Sequence, residues 1–364
     1  MKKAVRNKFI ISIVLWAVTG INMFLFHRFP SFFFPWYRSL SQKWISLLAG
    51  ICSIVKVAVW DILLVLLVAG LLVMTIRDIV HKTPFLKWLS TVLISVSVIM
   101  AIVVNGWMLN HYAPSLGSQI ALDVAQYSEE QLADACEYYL KKAGEYAVQI
   151  NRDVNGSARL PDFYETARKA GGSYAAIADK YPVFRGSAKP VKKLSLVGEY
   201  LMFNGIVGMF MPFTGEAGVP ESVPAVPLGY VMCHEAAHRL GIASEQEANF
   251  AAFLACVEND NPYFVYSGYY NAFSYSFSSL YRADSEKAME LYNRYPDDIG
   301  IQLLKLDRVQ TREYYRKYDS PLQEISDDIN DRYLKAFSQE SGIQSYGEVT
   351  DYLIAYWLKY GNNS

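Results

Sequence analysis

The sequence lacks any strong excess of one charge: 34 Lys and Arg stand against 35 Asp and Glu, a net charge of −1. With no basic tract and no glycine-rich phosphate loop either, nucleic acid is not an expected partner. Cysteine is scarce. Cys52, Cys136, Cys233 and Cys256 show no CxxC spacing, which argues against a structural zinc ribbon. In an oxidising compartment Cys233 and Cys256 are the pair to consider, with buried free thiols as the simpler expectation. Charge of either sign is sparse as well, 19% of residues against 52% hydrophobic, and the deficit is concentrated in the first 110 residues.

Residues 9–26 contain no charge, residues 88–108 contain none, and 57–76 is interrupted only by Asp61. A bilayer core takes about 20 apolar residues as helix, so three transmembrane helices are expected, over about 9–26, 57–77 and 88–108. No small-residue cleavage site follows the first run, as a signal peptide would require. The aromatic stretch "HRFPSFFFPWYR" follows instead, of the kind found where a helix meets headgroups. Segment 45–55, "ISLLAGICSIV", either extends the second span or lies along the interface. Asp61, near a span end, is expected to reach water.

Lys2, Lys3, Arg6 and Lys8 precede the first span, and Arg77, Lys82 and Lys87 follow the second. Arg28, Arg38, Lys43 and Lys56 are spread over the longer first loop. This bias puts the N-terminus in the cytoplasm, and three spans then put the rest outside it. The expectation is a multi-pass cell-membrane protein, with an anchor over 1–108 and an extracytoplasmic domain over 109–364.

That domain reads as largely helical. Ser128 and an acidic first turn open one helix, and "PDFYETARKAGGSYAAIADKYP" reads as two short helices broken at Gly171-Gly172. The β-branched, aromatic and glycine-rich "SLVGEYLMFNGIVGMFMPFTGEAGVP" suggests one or two short strands. Helical patterns follow near 262–283, 285–317 and 321–339, and in "YGEVTDYLIAYWLKY".

The two histidines that stand four apart belong to "HEAAH", residues 234–238. Side chains at i and i+4 share a helix face. His234 and His238 can therefore point at one ion, with Glu235 beside it to hold a water; this is the physical content of HExxH. A catalytic zinc wants a third protein ligand. The other histidine of the soluble part, His111, lies at the membrane edge, which leaves a carboxylate. Gly241 suits a helix stop. Ser244 then starts a second helix, with Glu247 in the position of a capping-box partner. Glu245 lies on the first turn of that helix, and Asn249 shares its face.

HExxH followed by "EQEANFAAFLAC" resembles the gluzincin branch of the zincin metallopeptidases, which carry a glutamate in an ExxxD or ExxAN setting. The resemblance implies His234, His238 and Glu245 as zinc ligands and Glu235 as general base. Glu247 remains the alternative third ligand. It further implies that Asn249 stands where many members have an aspartate orienting a ligand histidine. Six residues separate His238 from Glu245, far fewer than in thermolysin-like enzymes. The metzincin pattern fails because Ser244 occupies the place of the third histidine. "NGWMLNHYAP", "MPFTGEAGVP", "SGYYNAF" and "SGIQSYGEVTDYLIAY" resemble a bacterial membrane-anchored family catalogued only as a domain of unknown function. That likeness covers nearly the whole chain and supplies no substrate.

The expected fold is thus mainly α: three N-terminal transmembrane helices, then a zincin-like, largely helical α+β domain with a small sheet. The expected function is hydrolysis of a peptide or protein by a zinc-activated water, with Glu235 as base. Tyr266, Tyr269, Arg239 and Tyr346 are candidate oxyanion donors, Tyr346 the preferred one. Segment 205–219 is the expected substrate-binding strand edge, with Glu216 structural. The alternative is a catalytically silent zincin-like module that binds or senses at the membrane surface. Intramembrane cleavage is disfavoured because HExxH lies more than 120 residues past the last span, at 234 against 108.

Overall fold

The computed structural model describes residues 3–321, 323 and 348–361. It opens with α1 (Lys3–Arg28), α2 (Pro30–Cys52), α3 (Val59–Val80) and α4 (Phe85–Gly106). Of these, α1, α3 and α4 are long and apolar enough to cross a membrane. They match the three expected spans, and most of their apolar side chains face outward, as lipid requires. α1 and α4 lie side by side and run in the same direction. Lys8 Nζ donates to Thr91 Oγ1 at 2.9 Å, and fourteen residues further along both helices Asn22 Nδ2 donates to Asn105 Oδ1 at 2.7 Å.

α2 is a helix in its own right, so segment 45–55 does not extend the second span. Phe29 is held off helical geometry before Pro30, and Pro30 sits in the first turn, where its missing N–H costs nothing. Asp61 departs from expectation too. It is buried, and its Oδ2 accepts from the Leu196 N–H at 2.9 Å instead of reaching water.

The remainder contains α5 (Leu116–Gln119), α6 (Glu129–Ala147), α7 (Phe163–Ile177), β1 (Lys192–Leu194), α8 (Gly198–Phe203), β2 (Met209–Met211) and β3 (Glu216–Pro220). It continues through α9 (Leu228–Arg239), α10 (Glu245–Val257), α11 (Pro262–Ala283), α12 (Ser285–Asn293), α13 (Ile299–Arg316) and a closing helix, Glu348–Tyr356. Ser128 caps α6 in a full capping box with Gln131. The Gly171-Gly172 pair breaks nothing: α7 runs through it. A Cβ at Gly171 would stand 2.3 Å from the Lys189 carbonyl oxygen, so this glycine serves close packing of the following loop. Region 285–317 divides into α12 and α13 because Asp298 caps a new start. The expected 321–339 helix lies outside the described residues, apart from 321 and 323.

The three strands form one sheet in the order β1-β3-β2, with β1 parallel and β2 antiparallel to β3. β3 is central and fully buried, and α9 packs against it. Small residues on α9 and α10, among them Ala236, Ala237, Ala248, Ala251 and Ala252, are buried and let the helices approach closely. Cys233 and Cys256 in this core are free thiols.

The sheet also grips the membrane helices. Glu216 is buried on β3, and its two oxygens accept the Val59 and Trp60 N–H groups at 3.0 Å each, closing the open N-terminus of α3. Lys192 on β1 donates to the Cys52 and Val55 carbonyls in the turn before α3.

Candidate metal centre

α9 carries His234, Glu235 and His238, and it ends in a Schellman turn. Gly241 adopts φ = +82°, its N–H donates to the His238 carbonyl at 3.0 Å, and the Ile242 N–H donates to the Ala237 carbonyl at 3.2 Å. The left-handed residue is what turns the chain, and glycine takes that conformation without steric cost. The turn also brings the Ile242 carbonyl back onto His238 Nδ1, at 2.7 Å. With that nitrogen donating, Nε2 keeps its lone pair for a metal.

α10 then returns antiparallel to α9 with Glu245 as its first residue, where the helix dipole favours a carboxylate. The donor atoms converge. His234 Nε2 and His238 Nε2 are 3.0 Å apart, His234 Nε2 is 3.3 Å from Glu245 Oε2, and His238 Nε2 is 3.6 Å from Glu245 Oε1. Ligands about 2.0–2.1 Å from a tetrahedral zinc ion are about 3.3 Å from one another. The triangle therefore fits such an ion, with the fourth direction left to water or substrate. Among the described residues this is the one cluster of three or more metal-ligating side chains that close together.

Electrostatics bind the three together. Burial pushes the His238 imidazole down, but Glu245, Glu235 and the Ile242 carbonyl outweigh it and lift its pKa to about 9. Burial raises the Glu245 carboxyl, yet the two histidines outweigh that and hold it well below the usual range. In both groups the charged state relies on its partners across the triangle.

Glu235 is buried beside the triangle, and burial lifts its pKa to about 6 against the opposing pull of His234 and His238. The backbone just before β2 lies against it: a Cβ on Gly208 would stand 2.5 Å from Glu235 Oε1. Gly208→Ala is therefore expected to push the carboxylate out of place. A misplacement of about 1 Å in a reacting group costs about 10²-fold in rate, so a loss of that order is expected in the hydrolysis proposed below. The metal content of the purified variant should match wild type; loss of the metal would show that the glycine supports the ligands instead.

Three sequence expectations change. Asn249 does not orient a histidine. Its side-chain oxygen accepts from the hydroxyls of Tyr230 and Tyr275, both at 3.3 Å, and its backbone carbonyl accepts from Tyr230 at 2.8 Å. Because α9 and α10 run antiparallel, one turn beyond Glu245 is level with Tyr230, one turn before His234. Glu247 is neither ligand nor capping partner: its Oε1 accepts the Leu116 N–H at 2.7 Å and the Tyr352 hydroxyl at 2.9 Å. Ser244 precedes the helix without a side-chain capping bond.

The oxyanion candidates fare differently. Tyr266 is buried and donates to Asp307, the partner of Arg152, while Tyr269 stacks on Tyr146 and packs against Tyr138 and Tyr139. Arg239 is buried with Nη1 directed at the Pro190 carbonyl at 3.5 Å. Tyr346 lies outside the described residues.

His111, set aside in sequence as a membrane-edge residue, comes to the site. It packs edge-on to Trp107, which stands 6.2 Å (centroid to centroid) from the His238 ring. Loss of solvent pushes its pKa down to about 3, with His238 adding to the fall and Glu245 opposing it, so the imidazole is neutral. Trp107 also donates from Nε1 to the His238 carbonyl at 3.0 Å. The only sequence signal for His111 was the rarity of histidine itself.

The sequence profile of a family described as "Protein of unknown function (DUF3810)" matches residues 36–354. The chain belongs to that family. The match begins within α2 and includes α3, α4, β1–β3 and all three residues of the triangle, so the DUF3810 unit takes in two of the candidate membrane helices and the site together. No curated protein and no solved structure matches the chain.

Proposed function

We propose that the chain is a membrane-anchored zinc metallopeptidase of zincin type, with His234, His238 and Glu245 as ligands and Glu235 as general base. The observation that carries the reading is the donor triangle with a buried carboxylate beside it. Zinc bound there would supply a water of near-neutral pKa and polarise the scissile carbonyl. Glu235 would accept a proton at its carboxylate from the attacking water and return it to the leaving amine, a role suited to a carboxyl whose pKa lies near the working pH. His111, within electrostatic reach of His238 and Glu245, joins Tyr346 as a candidate hydrogen-bond donor to the developing oxyanion. β2 is the edge of the sheet nearest Glu235 and offers a backbone along which an extended peptide can pair.

In this reading residues 1–108 anchor the chain and 109–364 carry the chemistry. The N-terminus is cytoplasmic and the larger part extracytoplasmic, supported by the parallel course of α1 and α4 and the early lysines. The test is metal analysis of the purified full-length protein together with digestion of a peptide library. Chelation is expected to abolish cleavage and added zinc to restore it. Cleavage that survives complete removal of metal would overturn the reading, whereas bound zinc with no cleavage would favour the silent binding module.

A further inference from the structure

α2 has two faces of different character. Its inner face bears Phe34, Tyr37, Ser41, Ile45 and Ala49, all buried. Its outer face bears Phe32, Trp36, Leu40, Leu47, Ile51 and, just past its end, Ile54, each more than half exposed. The outer set recurs at three- and four-residue steps or their sums, so it forms one continuous apolar stripe along a helix about 34 Å long. A stripe of this kind left against water would be a large penalty.

What covers it follows from its connections. α2 joins the end of α1 to the start of α3, and the far part of the chain fixes both α3 and α4 at the same level. Glu216 holds the start of α3, and Trp107, the residue after α4, bonds to the metal-binding helix. Arg28, Val59 and Gly106 thus mark three points of one membrane boundary, with α2 running between the first two. Its segment, from Lys3 to Trp60, contains no acidic residue, while the exposed Lys43 and Lys56 suit anionic headgroups. A second exposed apolar pair, Leu196 and Tyr200, lies at the same level, since Leu196 bonds to Asp61 on the first turn of α3.

The inner face meets the site. Gln42 donates to the Leu240 carbonyl at 3.1 Å, in the turn between the metal-binding helices. Ile45 packs in one cluster with Trp107, Phe210 of β2 and Ala243. The β2–β3 turn lies on α2 so closely that a Cβ at Gly215 would stand 2.6 Å from the Ile45 carbonyl oxygen.

We propose that α2 lies in the headgroup layer with its apolar stripe towards the acyl chains, and that it sets the metal site about one helix diameter, roughly 10–12 Å, above the lipid. The substrate class is then the juxtamembrane segment of membrane-anchored polypeptides, presented along β2 within a few residues of the bilayer. The substrate class rests on the peptidase reading; the seat of α2 does not.

Two measurements on the full-length protein in lipid nanodiscs test this separately. Nitroxide labels at Leu40→Cys and Leu47→Cys, on a Cys52→Ser background, are expected to collide with oxygen more often than with a water-soluble paramagnetic reagent. A label at Val154→Cys, 97% exposed in the far part of the chain, should show the reverse. Water access at 40 and 47 equal to that at 154 overturns the seat. The second measurement uses one cleavable sequence, either free or tethered to the same nanodisc by a spacer of about five residues, reaching roughly 17 Å, or of about forty. The short-spacer form is expected to be cut at least as fast as the long one, and about tenfold or more faster than the free peptide. A short-spacer form left intact while the free peptide is cut overturns the substrate class. Cleavage of none of the three overturns the peptidase reading and the substrate class with it, while the labels still decide where α2 lies.

Discussion

Glu235→Gln is expected to lower peptide hydrolysis by about 10²–10⁴-fold, the usual contribution of a positioned general base, while the protein keeps its metal. The amide has the volume of the carboxylate and rests in the same pocket against Gly208, so packing gives no reason for the site to open. None of the three converging donor atoms belongs to this side chain. What is lost is the capacity to take a proton from water and return it to the departing nitrogen. Metal content and cleavage rate therefore separate the roles. Equal rates in the two proteins would remove Glu235 from the chemistry, and metal lost along with activity would make it a structural support.

The difference between what was legible in the chain and what was not follows from the range of the interactions. HExxH and the stop at Gly241 are local: both are set by the geometry of a single helix and its end. The three spans are local as well, since length and hydropathy decide them. Glu245 was legible as a carboxylate on the next helix, but its partners were not, because spacing gives a face and not the neighbour that meets it. Asn249 shows the limit. It shares the face of Glu245, yet one turn along an antiparallel helix moves it past the histidines to Tyr230. Gly171-Gly172 looks like a helix break and instead accommodates a loop 18 residues away, at Lys189. The service of Glu216 to α3, and the arrival of Trp107 and His111 beside His238, join residues more than 120 positions apart. No periodicity reports contacts of that kind. They also explain why a long sequence gap between the last span and HExxH says nothing about distance from the membrane.

Glu245→Ala and Glu247→Ala should part company, and the contrast is the sharpest check on the ligand set. Two residues turn a helix by about 200°, so these carboxylates cannot both face the histidines. Glu245→Ala removes one of the three proposed ligands. Even partners one step outside the ligand shell are worth 10–100-fold in metal affinity, so the loss here should exceed about 100-fold and take hydrolysis with it. The buried imidazole of His238 would also lose the carboxylate that offsets its burial. Glu247→Ala should leave metal affinity near wild type and act on stability instead. It strands the buried Leu116 N–H and removes one acceptor from the Tyr352 hydroxyl, an effect of about 1–3 kcal/mol for a buried group that loses its acceptor. Zinc titration and thermal unfolding of both variants in detergent distinguish the cases. Retained metal in Glu245→Ala with metal lost in Glu247→Ala would mean that α10 presents its other side to the histidines. The arrangement of α9, α10 and the Schellman turn would then be wrong at its root, because Gly241 and the Ile242 carbonyl leave α10 no freedom to rotate by half a turn without releasing His238.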